Sequence, residues 1–508
     1  MGKITALIYE NQRIINKTYK QFDAPLTNDS AKAFLNSTAL NENQVAHYRF
    51  YPFITYAQRQ IHYHRQTKHR KAHIKVKERP ISLVAHRDAL IYSVYSDKLK
   101  QPYEDYLLQH NINLIPTAYR NNRSNITAAK EVFDFIAESN ACWIFKGDFK
   151  GFFDNLRHKI LKQNLCDVLN KPFLSRDWVA VFKALTRYRY VENNDLKKAV
   201  RMAHTGNENS YILGRKQIKQ LIKKGNLSIQ GPNQIGIPQG TSLSAVLANV
   251  YMVKFDEELE KIVQKKQGLY RRYSDDFVIV IPQKNLSALE CKIFAEYFIK
   301  LSEDITKLCI EKDKTKTFRY QNNNIMKISK DGNELQDTWF DYLGFVFNGS
   351  VVRLRNKGIY KFHYKSKRAI NRFLRIEKDR QHVNSIGKNF GKVKYRKVWK
   401  HSKQRFTPLN IPQKTRYNKR IVWTEKHIRE NLIEHKLAVK MYLSMKRYGD
   451  RYTMLGYAKH AQKIFEENDY YQVDILGPIQ RQIQKNQRRV HEIRVYMKKS
   501  KAMGTKSR

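Results

Sequence analysis

Two adjacent aspartates, Asp275 and Asp276, stand in the stretch YRRYSDDFVIVIP at residues 270–282. Tyr270 and Tyr273 before them, and Phe277, Val278, Ile279, Val280 and Ile281 after them, are strand formers. The spacing predicts strand, tight turn, strand, with Ser274-Asp275-Asp276 at the turn. Neighbouring carboxylates repel each other, so a hairpin tip gains nothing from them as a folding device. A divalent cation over the tip would offset the repulsion, and Mg2+ takes oxygen ligands while keeping positions open for substrate phosphates. Taken alone, the pair reads as a solvated acidic turn. A third acid changes that. Cys142-Trp143-Ile144-Phe145 predicts a buried strand, Asp148 follows at its end, and a Gly-containing turn leads to a helix beginning near Asp154. Asp154 stands where a helix cap would; Asp148 comes too early for that role. Three carboxylates on adjacent strands can hold two Mg2+ ions about 4 Å apart for in-line phosphoryl transfer. One ion would activate a 3′-hydroxyl and the other would hold a triphosphate and its leaving pyrophosphate.

These acids need a scaffold. Residues 86–107 have apolar positions at Leu90, Ile91, Val94, Tyr95 and Leu99, the spacing of a helix with a core face, and 125–138 predicts another helix. In IGIPQGTSLSAVLANVYMVKFDEEL, residues 235–259, Gly236, Pro238 and Gly240 shape a tight loop, and Ser242 or Ser244 can cap the helix that follows. Such a loop brings backbone N–H groups close to a ligand; it also reads as a plain turn. Residues 186–235 predict short helices and loops. Residues 288–310 predict an amphipathic helix through Leu289, Ile293, Phe294, Tyr297, Phe298, Leu301, Ile305 and Leu308. Asp313-Lys314-Thr315-Lys316 leads into a strand. Phe340 to Phe347 predicts one apolar strand with an internal Gly344, then a turn at Asn348-Gly349. A basic helix follows through Ala369, Ile370, Phe373 and Leu374.

The 508 residues exceed what one simple core accommodates, and 41% hydrophobic residues suffice for two or three domains. Lys and Arg number 96 against 46 Asp and Glu, a formal net charge of +50 that repels itself when compact unless a polyanion is near. Nucleic acid is the expected partner. An anionic membrane surface is the other candidate for such charge; no run of about 18 apolar residues occurs, so no transmembrane helix is expected, and the partners expected are nucleic acids with no membrane among them. The start, MGKITALIYENQ, lacks a signal-peptide apolar core, and the four cysteines show no CxxC spacing, which fits a reducing cytoplasm. The segment 61–81 carries His62, His64, His69 and His73 among Lys and Arg; it reads as a phosphate-binding surface or, less simply, as a metal site. From Ser385 to Arg420 there are twelve Lys or Arg, no Asp or Glu, and interleaved Phe390, Tyr395, Trp399, Phe406 and Tyr417. That pattern suits single-stranded nucleic acid by phosphate pairing and base stacking, the bland alternative being a solvated linker. Two helices broken at Gly449-Asp450 are expected over 425–467, and the ten Lys or Arg of 481–508 predict a frayed basic tail.

In order, the parts are an Arg-Pro segment at Arg79, the Asp148 strand, the Pro-Gln-Gly loop, the Asp-Asp hairpin, Lys314 and Leu343-Gly344-Phe345. That order resembles the palm and fingers of reverse transcriptases. FKGDFKGFFDNL resembles the first catalytic motif of that family, GIPQGTSLSAVLANVYM its template–nucleotide loop, RRYSDDFVIV its YxDD box, DKTK its lysine motif and YLGF its primer grip. The resemblance spans roughly residues 75–350 and implies an α+β, right-hand polymerase fold: fingers and palm with an antiparallel palm sheet plus helices, then a helical thumb and C-terminal extension. On that basis the expected division is an N-terminal extension at 1–60, fingers and palm at 61–350, a basic thumb at 351–424, a helical region at 425–480 and a basic tail at 481–508. The resemblance further implies metal ligands at Asp148, Asp275, Asp276 and the Phe149 carbonyl, for two Mg2+ ions or Mn2+ in their place. It implies Arg79 on the triphosphate, Gln239 on the nucleotide sugar and template side, and Lys314 as general acid. It also implies a sugar gate at Phe153 that selects dNTPs, and a primer grip at Leu343 and Gly344.

Ala245 stands where group II intron enzymes usually carry Pro, and the Asn-Ala-x-x-His and Val-Thr-Gly elements of retron enzymes are absent. The wording SLSAVLANVYM and the long basic C-terminal extension look most like bacterial defence-associated reverse transcriptases of the "unknown group" class. That likeness implies antiphage defence, a structured non-coding RNA as template and a DNA product; a homo-oligomer stays open. The alternatives are an RNA-binding maturase of group II intron or retron type, an RNA-dependent RNA polymerase, against which Phe153 stands, and an acidic binding module without catalysis.

Overall fold

A computed structural model describes residues 7–8, 10–17, 19–64, 73–204, 210–212, 215–311, 315–329, 333–336, 338–385, 394–396, 421–423, 439–445 and 453–504. The chain divides into two compact units, one of Met1–Asn322 with Met326–Gln336, the other of Asn323–Ile325 with Asp337–Arg508. Antiparallel sheets and helices make it α+β, as the sequence leads one to expect.

The first unit begins with helical segments packed on its main core through Ile15, Leu26, Phe34 and Val45, so the residues before 61 form no separate body. Strands β1 (Phe53–His64) and β2 (His73–Leu83) form a long antiparallel hairpin, and His62 and His64 lie across from Lys75 and His73. His69 lies outside the described residues. Helix α1 (His86–Gln109) buries Leu90, Ile91, Val94, Tyr95 and Leu99, the face its spacing predicts. Helix α2 (Asn125–Glu138) starts in a capping box between Ser124 and Thr127. Strand β3 (Ala141–Asp148) follows, then α3 (His158–Val168), and β4 (Tyr190–Glu192) runs parallel to the start of β1. The 186–235 stretch supplies two amphipathic helices, Asn193–Met202 and Arg215–Lys223, whose Leu196, Ile218 and Leu221 join Ile54 and Val191 in a small core.

Helices α4 (Ser242–Tyr251) and α5 (Val253–Lys265) lead into the predicted hairpin, β5 (Leu269–Tyr273) and β6 (Asp276–Pro282). Helix α6 (Ala288–Thr306) buries Phe294 and Phe298 but leaves Leu289, Ile293 and Tyr297 exposed, a narrower apolar face than its sequence suggests. Strands β7 (Lys316–Gln321), β8 (Asn324–Ile328) and β9 (Glu334–Leu335) complete a six-stranded sheet ordered β5-β6-β3-β7-β8-β9.

In the second unit the stretch 340–347 is two strands rather than one. β10 (Phe340–Tyr342) and β11 (Phe345–Phe347) pair antiparallel about a turn at Leu343-Gly344, where both residues have positive φ (47° and 97°). A two-residue turn of this hand matches the twist of its strands. The Asn348 side chain accepts from Ser350 and Val351 N–H at the expected second turn, and β12 (Val351–Leu354) follows. Helix α7 (Asn356–Ser385) is the predicted basic helix, β13 (Lys394–Arg396) pairs with β14 (Ile421–Trp423), and α8 spans Met454–Phe465. Gly449-Asp450 and most of the basic stretch 385–420 lie outside the described residues. β15 (Gln472–Asp474) adds parallel to β12. Residues 477–504 do not fray: they form one helix, α9 (Gly477–Gly504), because Ile479, Ile483 and Val490 share a buried face beneath the basic one.

Candidate active site

β3 lies between β6 and β7, and its register sets the geometry of the acids. Asp148 stands directly across from Asp276, which places their Cα atoms roughly 4.5–5.5 Å apart with side chains on one face of the sheet. Asp275 is the second residue of the two-residue turn between Tyr273 and Asp276, and its carbonyl accepts the Phe149 N–H at 3.2 Å. All three acids are half-buried, and none is without an interaction partner. Glu311 N–H takes the Asp148 carbonyl at 2.8 Å and Lys150 N–H takes the Cys309 carbonyl at 2.9 Å, so the end of β3 is held from both sides. The Phe149 ring is buried against Phe152, Phe255 and Phe277 and anchors the backbone at that corner.

Oxygen donors at facing strand positions suit a hard divalent ion. Among the described residues no three His, Cys, Asp or Glu side chains form a ready metal cluster. The strand register sets Asp148 and Asp276 at facing positions, and Asp275 is the adjoining residue in the turn.

Beyond β3 the chain departs from expectation. A 3-10 turn spans Phe152–Asp154, and α3 starts four residues after Asp154, at His158, with no side-chain cap. Asp154 is therefore no helix cap. Its carboxylate accepts from Gln239 Nε2 at 3.5 Å, and burial raises its pKa against that bond. The half-buried Phe153 packs edge-on against Phe152, and its carbonyl accepts the Ile237 N–H at 2.9 Å. Gly236 donates to the Leu156 carbonyl, and its own carbonyl bonds His158 Nε2 at 2.8 Å. The Pro-Gln-Gly loop is thus laced to the 3-10 turn.

The same loop is tied to β2 by a bond from Ser82 N–H to the Gln239 carbonyl (3.2 Å). Gly240, at φ +130°, has the Ser82 carbonyl 2.6 Å from where a Cβ would stand. Arg79 is exposed on β2, across from Gln58. Thr241, not Ser242 or Ser244, caps α4 by accepting the Ser244 N–H at 3.0 Å. Asp148, Phe149, Asp275 and Asp276 are so joined through hydrogen bonds and strand pairing, Phe153 and Gln239 through the loop and the 3-10 turn, and the Phe152 ring touches both Phe149 and Phe153 between the two groups. Leu343 and Gly344 belong to the second unit, and Lys314 lies outside the described residues.

Sequence reasoning missed one group. Arg272 is fully buried and paired with Asp256, and it also bonds Asn249 and the Ser274 carbonyl. Its only sequence signal is the tandem Arg271-Arg272 inside an apolar strand, which demands an anionic partner on each face. Glu131 meets Arg271, and Asp256 meets Arg272.

A family model described as reverse transcriptase (RNA-dependent DNA polymerase) matches residues 67–347. No curated protein matches. Among solved structures the chain is similar to apo telomerase from Candida tropicalis truncated from its C-terminal domain, at 11% identity and TM-score 0.36, covering 59% of this chain and 55% of that one. It is also similar to telomerase from Candida albicans in complex with a TWJ fragment of telomeric RNA, at 12% identity and TM-score 0.32, covering 62% and 50%. The chain spans about half the length of these structures. No described helix is long and apolar enough to cross a membrane.

Proposed function

The chain belongs to the reverse transcriptase family, and from that premise we propose that it is an RNA-directed DNA polymerase that joins dNTPs to a 3′ end along an RNA template. The pairing of Asp148 with Asp276 beside Asp275, inside the stretch the family model covers, carries this reading. Asp148, Asp275, Asp276 and the Phe149 carbonyl would hold two Mg2+ ions, with Mn2+ able to replace them. When bound, such ions would supply activation of a primer hydroxyl and neutralisation of charge on the triphosphate and pyrophosphate.

The chain's own groups do the rest. Arg79 pairs with the triphosphate, and Gln239 lies along the nucleotide sugar and the template. The Phe153 ring fills the space a 2′-hydroxyl needs. Lys314 gives a proton to the leaving pyrophosphate, and Leu343-Gly344 grips the primer. The template is a structured non-coding RNA and the setting bacterial antiphage defence, on the support of the SLSAVLANVYM wording and the long basic helical extension.

Primer extension by the purified chain on RNA with dNTPs tests the activity. Asp275→Asn with Asp276→Asn is expected to lower DNA product about 10³-fold or more while the chain stays folded. A wild-type chain that makes no DNA, or a variant that makes as much, overturns the polymerase reading; a maturase would keep its biological activity in the variant. Sequencing the nucleic acid that copurifies tests the template: one structured RNA and its DNA copy supports it, and a random RNA pool counts against it.

A further inference from the structure

Arg272 is sealed from solvent in the middle of the first unit, and every nitrogen of its guanidinium is used. Nε lies 3.0 and 3.2 Å from the two Asp256 oxygens, and Nη2 donates to Asp256 Oδ2 at 2.6 Å. Nη1 donates to Asn249 Oδ1 and to the Ser274 carbonyl, both at 3.1 Å. The partners are held in turn: Asp256 also accepts from the Tyr270 hydroxyl at 2.9 Å, and Asn249 donates to the Ala118 carbonyl at 2.8 Å. The Arg272 backbone donates to the Ile115 carbonyl and accepts from Thr117 N–H, both at 2.9 Å. Few side chains are so completely immobilised.

What this assembly grips is the turn that carries the acids. Ser274 has φ +61°, a left-handed conformation that a non-glycine residue adopts only when held there. Its own hydroxyl offers no help, being buried with no hydrogen-bond partner among the described residues. The next residue is Asp275. A buried ion pair does little for stability that packed apolar side chains would not do as well. The contact an apolar replacement could not supply is the donor on the Ser274 carbonyl.

We propose that Arg272 is a positioning residue for the paired acids: it locks the Ser274 turn from which Asp275 and Asp276 project, with Asp256 and Asn249 aiming its guanidinium. The effect on rate rests on the polymerase reading; the effect on the turn does not. Because α4 carries Asn249 and begins at the Pro-Gln-Gly loop, the same residue couples the nucleotide-side loop to the acids.

The test uses the full chain in primer extension across a MgCl2 series. Arg272→Met with Asp256→Leu removes both charges at similar volume, and Arg272→Lys keeps a charge for Asp256 but loses the fork that reaches Ser274. Folding is checked by thermal melting. Either folded variant is expected to lose kcat roughly 10–100-fold and to need more Mg2+ for half-maximal rate, with KM for dNTP changing less than kcat. Adding Ser274→Gly to Arg272→Lys should recover rate, because glycine takes positive φ without strain. A folded variant with wild-type kcat and Mg2+ profile overturns the proposal and leaves the pair a structural one. If the apolar double variant does not fold, Arg272→Lys decides alone. If the wild-type chain makes no DNA, the polymerase reading fails separately, and a crystal structure of Arg272→Lys decides: Ser274 kept at positive φ overturns the positioning role, and a relaxed turn supports it.

Discussion

Phe153 is fixed at two points, its carbonyl by Ile237 and its ring by Phe152, while part of the ring stays exposed. Phe153→Ala is expected to raise ribonucleotide use relative to deoxyribonucleotide by roughly 10²-fold in the ratio of kcat/KM values, since it deletes steric exclusion rather than an attraction. An unchanged ratio would place the sugar gate on another residue. At this scale the acids were legible because each sits in a local pattern: an acid closing an apolar run, and two acids between strand-forming runs. Arg272 and Asp256 were not legible. Their pairing depends on how α5 packs against β5, which no window of neighbouring residues encodes. Asp154 misled for a similar reason, since its partner Gln239 arrives from far along the chain.

Among the elements, one tightly constrained contact is where the Pro-Gln-Gly loop crosses the end of β2. A methyl at Gly240 would meet the Ser82 carbonyl at 2.6 Å, and the backbone there has φ +130°. Gly240→Ala is expected to cost about 1–3 kcal/mol in denaturant unfolding and to raise KM for dNTP by displacing Gln239. Gly225→Ala, also at positive φ but with open space around its Cβ, should leave KM alone. Equal effects from the two would mean the crossing does not position the loop. Helices α1 and α2 and the β5–β6 hairpin follow directly from periodicity. The 340–347 stretch hides its turn because Leu343 is an unusual residue at positive φ, and α9 hides behind its charge because its buried positions among the described residues are the widely spaced Ile479, Ile483, Asn486 and Val490.

For the whole molecule, the excess of positive charge bears on the proposed RNA template, a polyanion. If RNA is the partner, a chain at +50 should gain much of its affinity by releasing counterions. RNA binding followed by anisotropy should weaken by about 10³-fold or more between 50 and 200 mM salt, as for proteins making several phosphate contacts. A flat salt response would mean that the charge serves another partner.

Strand β3 has a hydrogen-bonded neighbour on each side, β6 from Cys142 to Asp148 and β7 from Ala141 to Lys146. Amide protons enclosed on both edges exchange with solvent only when the whole sheet opens. The first acid therefore closes a strand that is covered on both edges as far as Lys146 and is itself held by Asp276 across the sheet and by the Glu311 N–H. Heating should destroy catalysis and sheet in one step, with no inactive species that still keeps its strands.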